Sequence, residues 1–349
     1  MLLTIDTEKI KNNLLKVIKL CESRGVSLVV VTKVFCSFPP LVDALSGMGV
    51  VSIADSNYMN FKRLKTRIKK ILIKTLSSDI DSGLEFCDVI HISDFNFLKK
   101  IALLPGDYER KVLLNVEIGD NKEGILPDEV IAFIKEADVY NNISIIGIAG
   151  NTGCLSGNLP DQTVFSLLNA LSLKIRSETG VKNPVISVGG TVFLDALIDG
   201  SMGEAVNQIR VGEGIFFGYD SSKNKNIPGF DRTAFIISIE VLEVLEKEIA
   251  FIPVSGYNAF GKKASAVSDK TSGRRKRAVL GAGILAVSPE GLVPVLDGIK
   301  VEGITYDFMV LDITGCEEAI RAGDTVLFYA DYSSVARASI NPYVDIRLL

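Results

Sequence analysis

Lys33 is the residue whose type and place most invite chemistry. It ends the apolar run Ser27-Leu28-Val29-Val30-Val31-Thr32, which reads as a buried parallel strand, and Val34-Phe35 follow it. An ammonium with a dry strand behind it needs a reason, because burying an unpaired charge is costly. One reading is a lysine that snorkels at a strand mouth. The other is an amine whose pKa burial lowers from about 10.4, leaving it able to attack a carbonyl and form a Schiff base. Two stretches rich in glycine and hydroxyls form a second feature. Ser187-Val188-Gly189-Gly190-Thr191 and Arg210-Val211-Gly212-Glu213-Gly214 each begin within an apolar run and lead into a helical stretch. Backbone N–H groups at such turns can approach an anion, and an ordinary tight turn is the alternative for either one alone.

Other reactive residues are sparse. The single histidine, His91, leaves no His-built metal site and no Ser-His-Asp triad, and it reads as a polar residue near a strand end. Cys21, Cys36, Cys87, Cys154 and Cys316 are scattered without CxxC spacing, which fits reduced thiols; no metal is expected. A net charge of −4 supplies no field for nucleic acid. The basic cluster Arg274-Arg275-Lys276-Arg277 reads as a solvated edge or a contact for an acidic partner surface. No apolar run approaches the roughly 18–20 residues of a membrane span, and Met1-Leu2-Leu3-Thr4-Ile5-Asp6 has no signal-peptide layout. A cytoplasmic protein with no membrane partner is expected.

These residues must be positioned by a fold. A chain of 349 residues can bury a large core and suggests one large domain and a smaller one. A helix over Asp6–Leu20 carries Ile10, Leu14, Val17 and Ile18 at helical spacing. Candidate strands follow at 28–32, 50–54, 71–74, 88–92, 111–117, 143–149, 184–188 and 208–211. Short apolar runs alternating with helical segments suit a (β/α)8 TIM barrel or a doubly wound open sheet, and the count of eight favours the barrel. From Thr233 the segments Phe235–Leu245, Arg277–Leu285, Phe308–Ile313 and Thr325–Tyr329 read as an all-β second domain. The expected division is 6–232 for the barrel and 233–349, with 1–5, for the β domain. The loop Ser255–Gly273 is long enough to suggest a functional role. Barrels place chemistry where strands feed the βα loops, often with phosphate after strands seven and eight. Lys33, the segment Gly147-Ile148-Ala149-Gly150-Asn151-Thr152-Gly153 and the two glycine turns all fall there.

Together these features resemble fold-type III pyridoxal-phosphate enzymes. More narrowly, the chain is similar to the alanine racemase-like family, and in detail to its ornithine racemase branch. Thr4-Ile5-Asp6-Thr7-Glu8-Lys9-Ile10-Lys11-Asn12-Asn13-Leu14 resembles the family's opening strand and helix, and Val31-Thr32-Lys33 its cofactor-lysine segment. Asn115-Val116-Glu117-Ile118-Gly119-Asp120-Asn121-Lys122-Glu123-Gly124-Ile125 resembles the ornithine-branch segment on strand five. Gly303-Ile304-Thr305-Tyr306-Asp307-Phe308-Met309-Val310-Leu311-Asp312 and Ala330-Asp331-Tyr332 resemble stretches of the β domain that reach the active site. The likeness covers nearly the whole chain.

The resemblance implies a racemase of amino acids that uses pyridoxal 5'-phosphate and works as a head-to-tail homodimer. Lys33 would hold the cofactor and act as one base. Ser187, Gly189, Gly190, Thr191, Gly212 and Glu213 would surround the phosphate, with a hydrogen bond from Tyr332. Arg210 would face the pyridine nitrogen; an always-charged, donor-only guanidinium leaves that nitrogen unprotonated, which suits racemisation over decarboxylation. A structural salt bridge is the other role open to Arg210. Tyr257, in Gly256-Tyr257-Asn258-Ala259-Phe260-Gly261, would be the second base, supplied by the partner subunit. Three departures stand out. The Tyr257 segment differs from the Gly-Tyr-Ala-Asp-Gly of alanine racemases, and the ornithine branch often lacks that tyrosine. Lys122 stands where an arginine usually contacts the substrate carboxylate, keeping charge without the bidentate fork. Asn151 or Thr152 replaces a ring-stacking histidine. The expected substrate is ornithine or lysine, with Asp307 as the contact for the distal ammonium. Alanine or a broad range is the nearest alternative, followed by a cofactor carrier or a decarboxylase.

Overall fold

The structure, a computed structural model, describes residues 1–106, 108–249, 256–258, 260, 261, 263 and 273–349. They form two compact units, residues 7–232 and residues 1–6 with 233–349. Most of the loop 255–273 lies outside the described residues. The chain's first strand, β1 (Leu2–Ile5), belongs to the second unit.

The first unit opens with α1 (Thr7–Ser23), which buries Ile10, Leu14, Val17 and Cys21 along one face. Asn13 is buried on the same helix and fully bonded. Its amide donates to the backbone oxygens of Ile215 (3.0 Å) and Asp231 (2.8 Å), and its oxygen accepts from Asp231 N–H (2.8 Å). Eight parallel strands follow: β2 (Ser27–Val31), β3 (Ser52–Asp55), β4 (Lys69–Leu72), β5 (Val89–Ile92), β6 (Arg110–Asn115), β7 (Ile143–Asn151), β8 (Val185–Gly189) and β9 (Gln208–Val211). β9 pairs with β2, with Val29 opposite Arg210, so the sheet closes into a barrel and is not an open sheet. Helices α2 (Pro39–Gly47), α3 (Tyr58–Lys62), α4 (Ile80–Glu85), α5 (Phe95–Leu103), α6 (Val130–Ala137), α7 (Gln162–Glu178) and α8 (Leu194–Asp199) connect successive strands. After β9 come α9 (Glu213–Phe217) and a small hairpin, β10 (Tyr219–Asp220) with β11 (Lys225–Asn226).

Strand periodicity decides what fills the barrel. Val29, Ala54, Ile71, Val89, Leu113 and Ala149 form one buried cluster, with Val31, Ile73, Ile146 and Val185 packed against it. Two residues further along the same faces stand His91, Asn115, Asn151 and Ser187, and Arg210 shares the face of Val29. An apolar floor therefore carries a polar layer. The step from Ile146 to Ala149 is odd because β7 bulges: its register against β6 shifts between Ile145 and Gly147. Gly147 has φ +151°, and a Cβ there would lie 2.0 Å from the Val185 carbonyl oxygen. Only glycine fits.

The second unit is built on β12 (Phe235–Ile249), whose Phe235, Ile237, Ile239 and Val241 alternate into its core. With β13 (Gly273–Leu280), β14 (Leu292–Pro294), β15 (Lys300–Ile304), β16 (Met309–Asp312) and β17 (Thr325–Ala330) it forms a sheet in the order β14-β17-β12-β13-β16-β15. After α10 (Tyr332–Ile340), the strand β18 (Asp345–Leu348) runs parallel to β1, which is itself antiparallel to β12. The basic cluster is only partly an edge: Arg277 is paired on both sides, while Arg274 and Arg275 lie beyond the β16 ladder. β13 lies between β12 and β16, and Arg274 pairs with Glu246 (2.6 Å), Arg275 with Asp312, and Arg277 with Glu302 (2.6 Å). Among the described residues no helix is long and apolar enough to cross a membrane.

Candidate active site

Because all eight barrel strands are parallel, the residues that follow them gather at one end of the barrel. Lys33 starts a 3-10 turn, Lys33–Phe35, directly after β2 and Thr32. It is exposed, whereas Val34 and Phe35 beside it are buried. The expected burial of the lysine is thus corrected: the strand stops at Val31, and the turn lifts Lys33 off the strand face. Cys36 (φ 52°) and Ser37 (φ 46°) follow in the left-handed region. For residues with a Cβ that conformation costs on the order of 1–2 kcal/mol each.

Arg210 lies in the polar layer and is 5% exposed. Its Nη1 donates to Ser187 Oγ (2.6 Å) and its Nη2 to the Gly150 carbonyl (3.0 Å). Ser187 in turn donates to Gln208 Oε1 (2.9 Å). No carboxylate pairs with Arg210 among the described residues. Burial lowers its pKa to about 10, an effect the Glu123 carboxylate opposes, and the side chain stays charged at neutral pH. A Cβ at Gly189 would lie 2.3 Å from Arg210 Nη2, which explains a glycine beside a pinned guanidinium. His91, next to the last residue of β5, is near a strand end as expected and is buried in the barrel's polar layer. Its Nδ1 is 3.0 Å from Asn115 Oδ1, so Nδ1 carries the proton and Nε2, buried without a partner among the described residues, is an acceptor. Burial, and next the charge of Arg210, push its pKa down to about 3, against the bond to Asn115.

The two glycine turns are stapled together, since Gly214 N–H donates to Thr191 Oγ1 (2.9 Å). Gly190 has φ +104°, and its N–H donates to the Arg210 carbonyl (2.9 Å). Glu213 accepts from Ser221 N–H (3.0 Å) and Oγ (2.9 Å). Two members of the expected phosphate cradle are thereby otherwise engaged: the Ser187 hydroxyl orients Arg210, and the Gly190 N–H closes the β8–β9 ladder. Gly189, which ends β8, and Thr191, Gly212 and Glu213 in the turns remain at the barrel end. At Gly212 a Cβ would lie 3.0 Å from the Val31 carbonyl oxygen, which brings this turn against the strand that leads to Lys33.

The loops after β6 and β7 are locked by a residue that sequence reasoning missed, Asp120. It is 3% exposed and accepts from Leu155 N–H (2.8 Å), Ser156 N–H (3.4 Å) and Lys122 Nζ (3.0 Å). Burial alone would raise its pKa, but these donors outweigh burial and hold it below the usual carboxylate range. Lys122 also pairs with Glu123 (3.5 Å). Burial works against its ammonium, yet Asp120, Cys154 and Glu123 overcome that and raise its pKa. Asn151 accepts from Thr152 N–H (3.0 Å), and its Nδ2 lies 3.5 Å from Asp120 Oδ2. A Gly-Asp-Asn loop after a strand was the available signal for Asp120, since turn aspartates commonly bond backbone amides.

Tyr257, Asp307 and Tyr332 belong to the second unit. Tyr257 is 75% exposed and forms an isolated bridge with Lys263. Asp307 is exposed in the turn between β15 and β16, which is closed by Thr305 N–H to the Phe308 carbonyl (2.7 Å) and Phe308 N–H to Thr305 Oγ1 (3.1 Å). The turn therefore forms without the Asp307 side chain. Tyr332 begins α10, capped by Asp331, whose Oδ1 accepts from Ser334 N–H (2.9 Å).

A closed eight-stranded parallel barrel with a lysine after its first strand, a buried arginine on its last, and a separate antiparallel unit defines a known class of α/β enzyme. Residues 5–220 match the family model described as alanine racemase, N-terminal domain, and the chain belongs to that family. It is 30% identical to a lysine racemase of Thermotoga maritima over 98% of this chain and 97% of that protein. It is 27% identical to an ornithine racemase of Acetoanaerobium sticklandii over 99% of both. The fold is that of alanine racemase from Bartonella henselae with covalently bound pyridoxal phosphate (TM-score 0.72, 14% identity, covering 100% of this chain and 99% of that one). It is also that of the Bacillus anthracis enzyme with bound L-Ala-P (TM-score 0.73, 15% identity, covering 100% and 94%).

Proposed function

We propose that this protein is a pyridoxal-phosphate-dependent racemase of cationic amino acids, ornithine or lysine. The observation that carries the reading is Arg210: a buried guanidinium with no carboxylate partner among the described residues, bonded to Ser187 and Gly150 at the barrel end where Lys33 sits. The residues fit the cofactor. An amine, an uncompensated cation and stapled glycine turns meet its carbonyl, its ring nitrogen and its phosphate in kind. When bound, the cofactor supplies an electron sink that acidifies the substrate's α-proton.

Lys33 holds the cofactor and carries a proton on one face of the substrate. Arg210 donates to the ring nitrogen and, having no proton to give up, keeps that nitrogen unprotonated. Thr191, Gly212 and Glu213 take the phosphate, with Tyr332 as a further donor. Asn151 lies beside the ring, and Lys122 takes the substrate carboxylate as a point charge.

Tyr257 of a second copy carries the proton on the opposite face, and Asp307 of that copy faces the distal ammonium. Supporting a homodimer, the second unit displays exposed Leu285, Tyr306 and Phe308 beside a half-buried Phe260. Phe260 stacks edge-on against Tyr306 (5.1 Å between ring centroids), Leu285 N–H donates to the Tyr306 carbonyl (3.3 Å), and Phe308 lies in the same turn. The substrate class rests on full-length similarity to a lysine and an ornithine racemase. The test is incubation of the purified protein and pyridoxal phosphate with single L-amino acids, read by chiral chromatography. Ornithine and lysine should be racemised with kcat/KM well above alanine. Faster turnover of alanine overturns the substrate class, and unchanged chirality with every amino acid overturns the racemase.

A further inference from the structure

Two left-handed residues directly after the lysine turn need something to hold them, and a buried carboxylate provides it. Asp55, the last residue of β3, is fully buried and pairs with no cation among the described residues. Its Oδ2 accepts from the Ser37 hydroxyl (2.7 Å), its Oδ1 from Asn57 N–H (3.0 Å), and Asn60 Nδ2 lies 3.1 Å from each oxygen. Burial raises its pKa, while every one of these neighbours donates and so fits the ionised form. With the Ser37 proton committed to Asp55, the 2.7 Å contact between Thr32 Oγ1 and Ser37 Oγ has Thr32 as donor.

Donation therefore runs from Thr32 to Ser37 to Asp55. Ser37 N–H also donates to the Thr32 carbonyl (3.1 Å), so Thr32 and Ser37 are joined through both main chain and side chains. Lys33, Val34, Phe35 and Cys36 are the contents of that closed ring. Cys36 N–H donates to the Lys33 carbonyl (3.0 Å) and fixes the lysine's own peptide. Lys33 lies past the end of the barrel ladder and its side chain is exposed, so neither strand pairing nor packing aims its amine.

We propose that Asp55 is a positioning residue for Lys33. Through Ser37 and Thr32 it sets the turn from which the amine meets a carbonyl. This rests on the reading of Lys33 as the residue that takes the cofactor. The carboxylate does not touch the reacting atoms; it acts by holding a backbone conformation that Cys36 and Ser37 would otherwise leave.

The test uses the full-length protein, stripped of pyridoxal phosphate and reloaded. Its readouts are the rate and pH profile with which borohydride traps pyridoxyl on Lys33, assigned by peptide mapping, and the thermal midpoint. Ser37→Gly is the decisive variant, because glycine accepts a positive φ without strain while the hydroxyl relay to Asp55 is removed. Trapping should slow by about tenfold or more, since misplacement by about 1 Å can cost about 10²-fold, with a displaced pH midpoint and an unchanged or raised thermal midpoint. Asp55→Ala should slow trapping in the same way and also lower the thermal midpoint. Wild-type trapping rate and pH profile in Ser37→Gly overturn the positioning role. Labelling of a different lysine in the unaltered protein instead overturns the reading of Lys33 itself, a separate failure.

Discussion

The two units use arginine in opposite ways. On β13, Arg274 and Arg275 meet carboxylates on the adjacent strands β12 and β16, and Arg277 meets Glu302 on β15, two strands away, so their charges cancel within the sheet. In the barrel, Arg210 is buried against a hydroxyl and a carbonyl and forms no ion pair among the described residues. An exposed or half-buried cross-strand pair contributes about 0–1 kcal/mol. A buried cation without a counter-charge is costly and persists where something else has use for it. Charge on β13 is thus paired within the sheet, and in the proposed function the charge of Arg210 serves a ligand.

Tyr257→Phe tests that partition most severely, because it places an essential proton carrier in the second unit. One direction of α-proton exchange in deuterium oxide should fall by about 10²–10⁴-fold, the range for a general base, while the other falls less. Equal, minor losses in both directions would return all proton chemistry to the barrel. Arg210→Glu should lower racemisation by about 10²–10³-fold, as for loss of a placed electrostatic group, and raise transamination. Its counterpart Arg277→Gln should leave turnover unchanged and cost about 1 kcal/mol or less of stability in urea titrations. Wild-type behaviour of Arg210→Glu would make both arginine sets structural.

His91 extends the comparison to pH. Its folded-state pKa of about 3 lies below the ordinary 6.5, so the unfolded chain binds its proton first as pH falls. The stability linked to neutral His91 is complete above 6.5 and is lost toward pH 3, at about 1.4 kcal/mol per pH unit. His91→Asn should flatten that slope in thermal midpoints measured between pH 7.5 and 5.5. An unchanged slope would mean that other groups govern acid sensitivity.

Much of this fold was legible because buried parallel strands are short apolar runs, and all eight were present as such. The barrel's strand ends moved by at most two residues, as hydrogen bonding and not hydrophobicity sets them. In the second unit β14 and β18 were too short to stand out, and Lys300-Val301-Glu302-Gly303-Ile304 reads as a loop until β16 pairs with it. The site was legible by residue type and illegible by orientation. Lys33 and Arg210 are conspicuous in a sequence, but that Ser187 aims Arg210 depends on the register between β8 and β9. That Asn151 points inward depends on the bulge at Gly147. Asp55, ending an ordinary-looking strand, gave no sign of its bond to Ser37, because their approach is made by a βα turn with two left-handed residues.

The pairing of β1 has a consequence for biosynthesis. Leu2–Ile5 finds its partners in β12 and β18, strands encoded after the entire barrel. As the chain leaves the ribosome, the barrel's strands and helices are complete while the first strand still lacks both neighbours. The barrel can thus fold as a unit ahead of the β unit, whose sheet is completed only when residues 345–348 have been made. Extensions fused ahead of Met1 would therefore burden the last folding event and not the first.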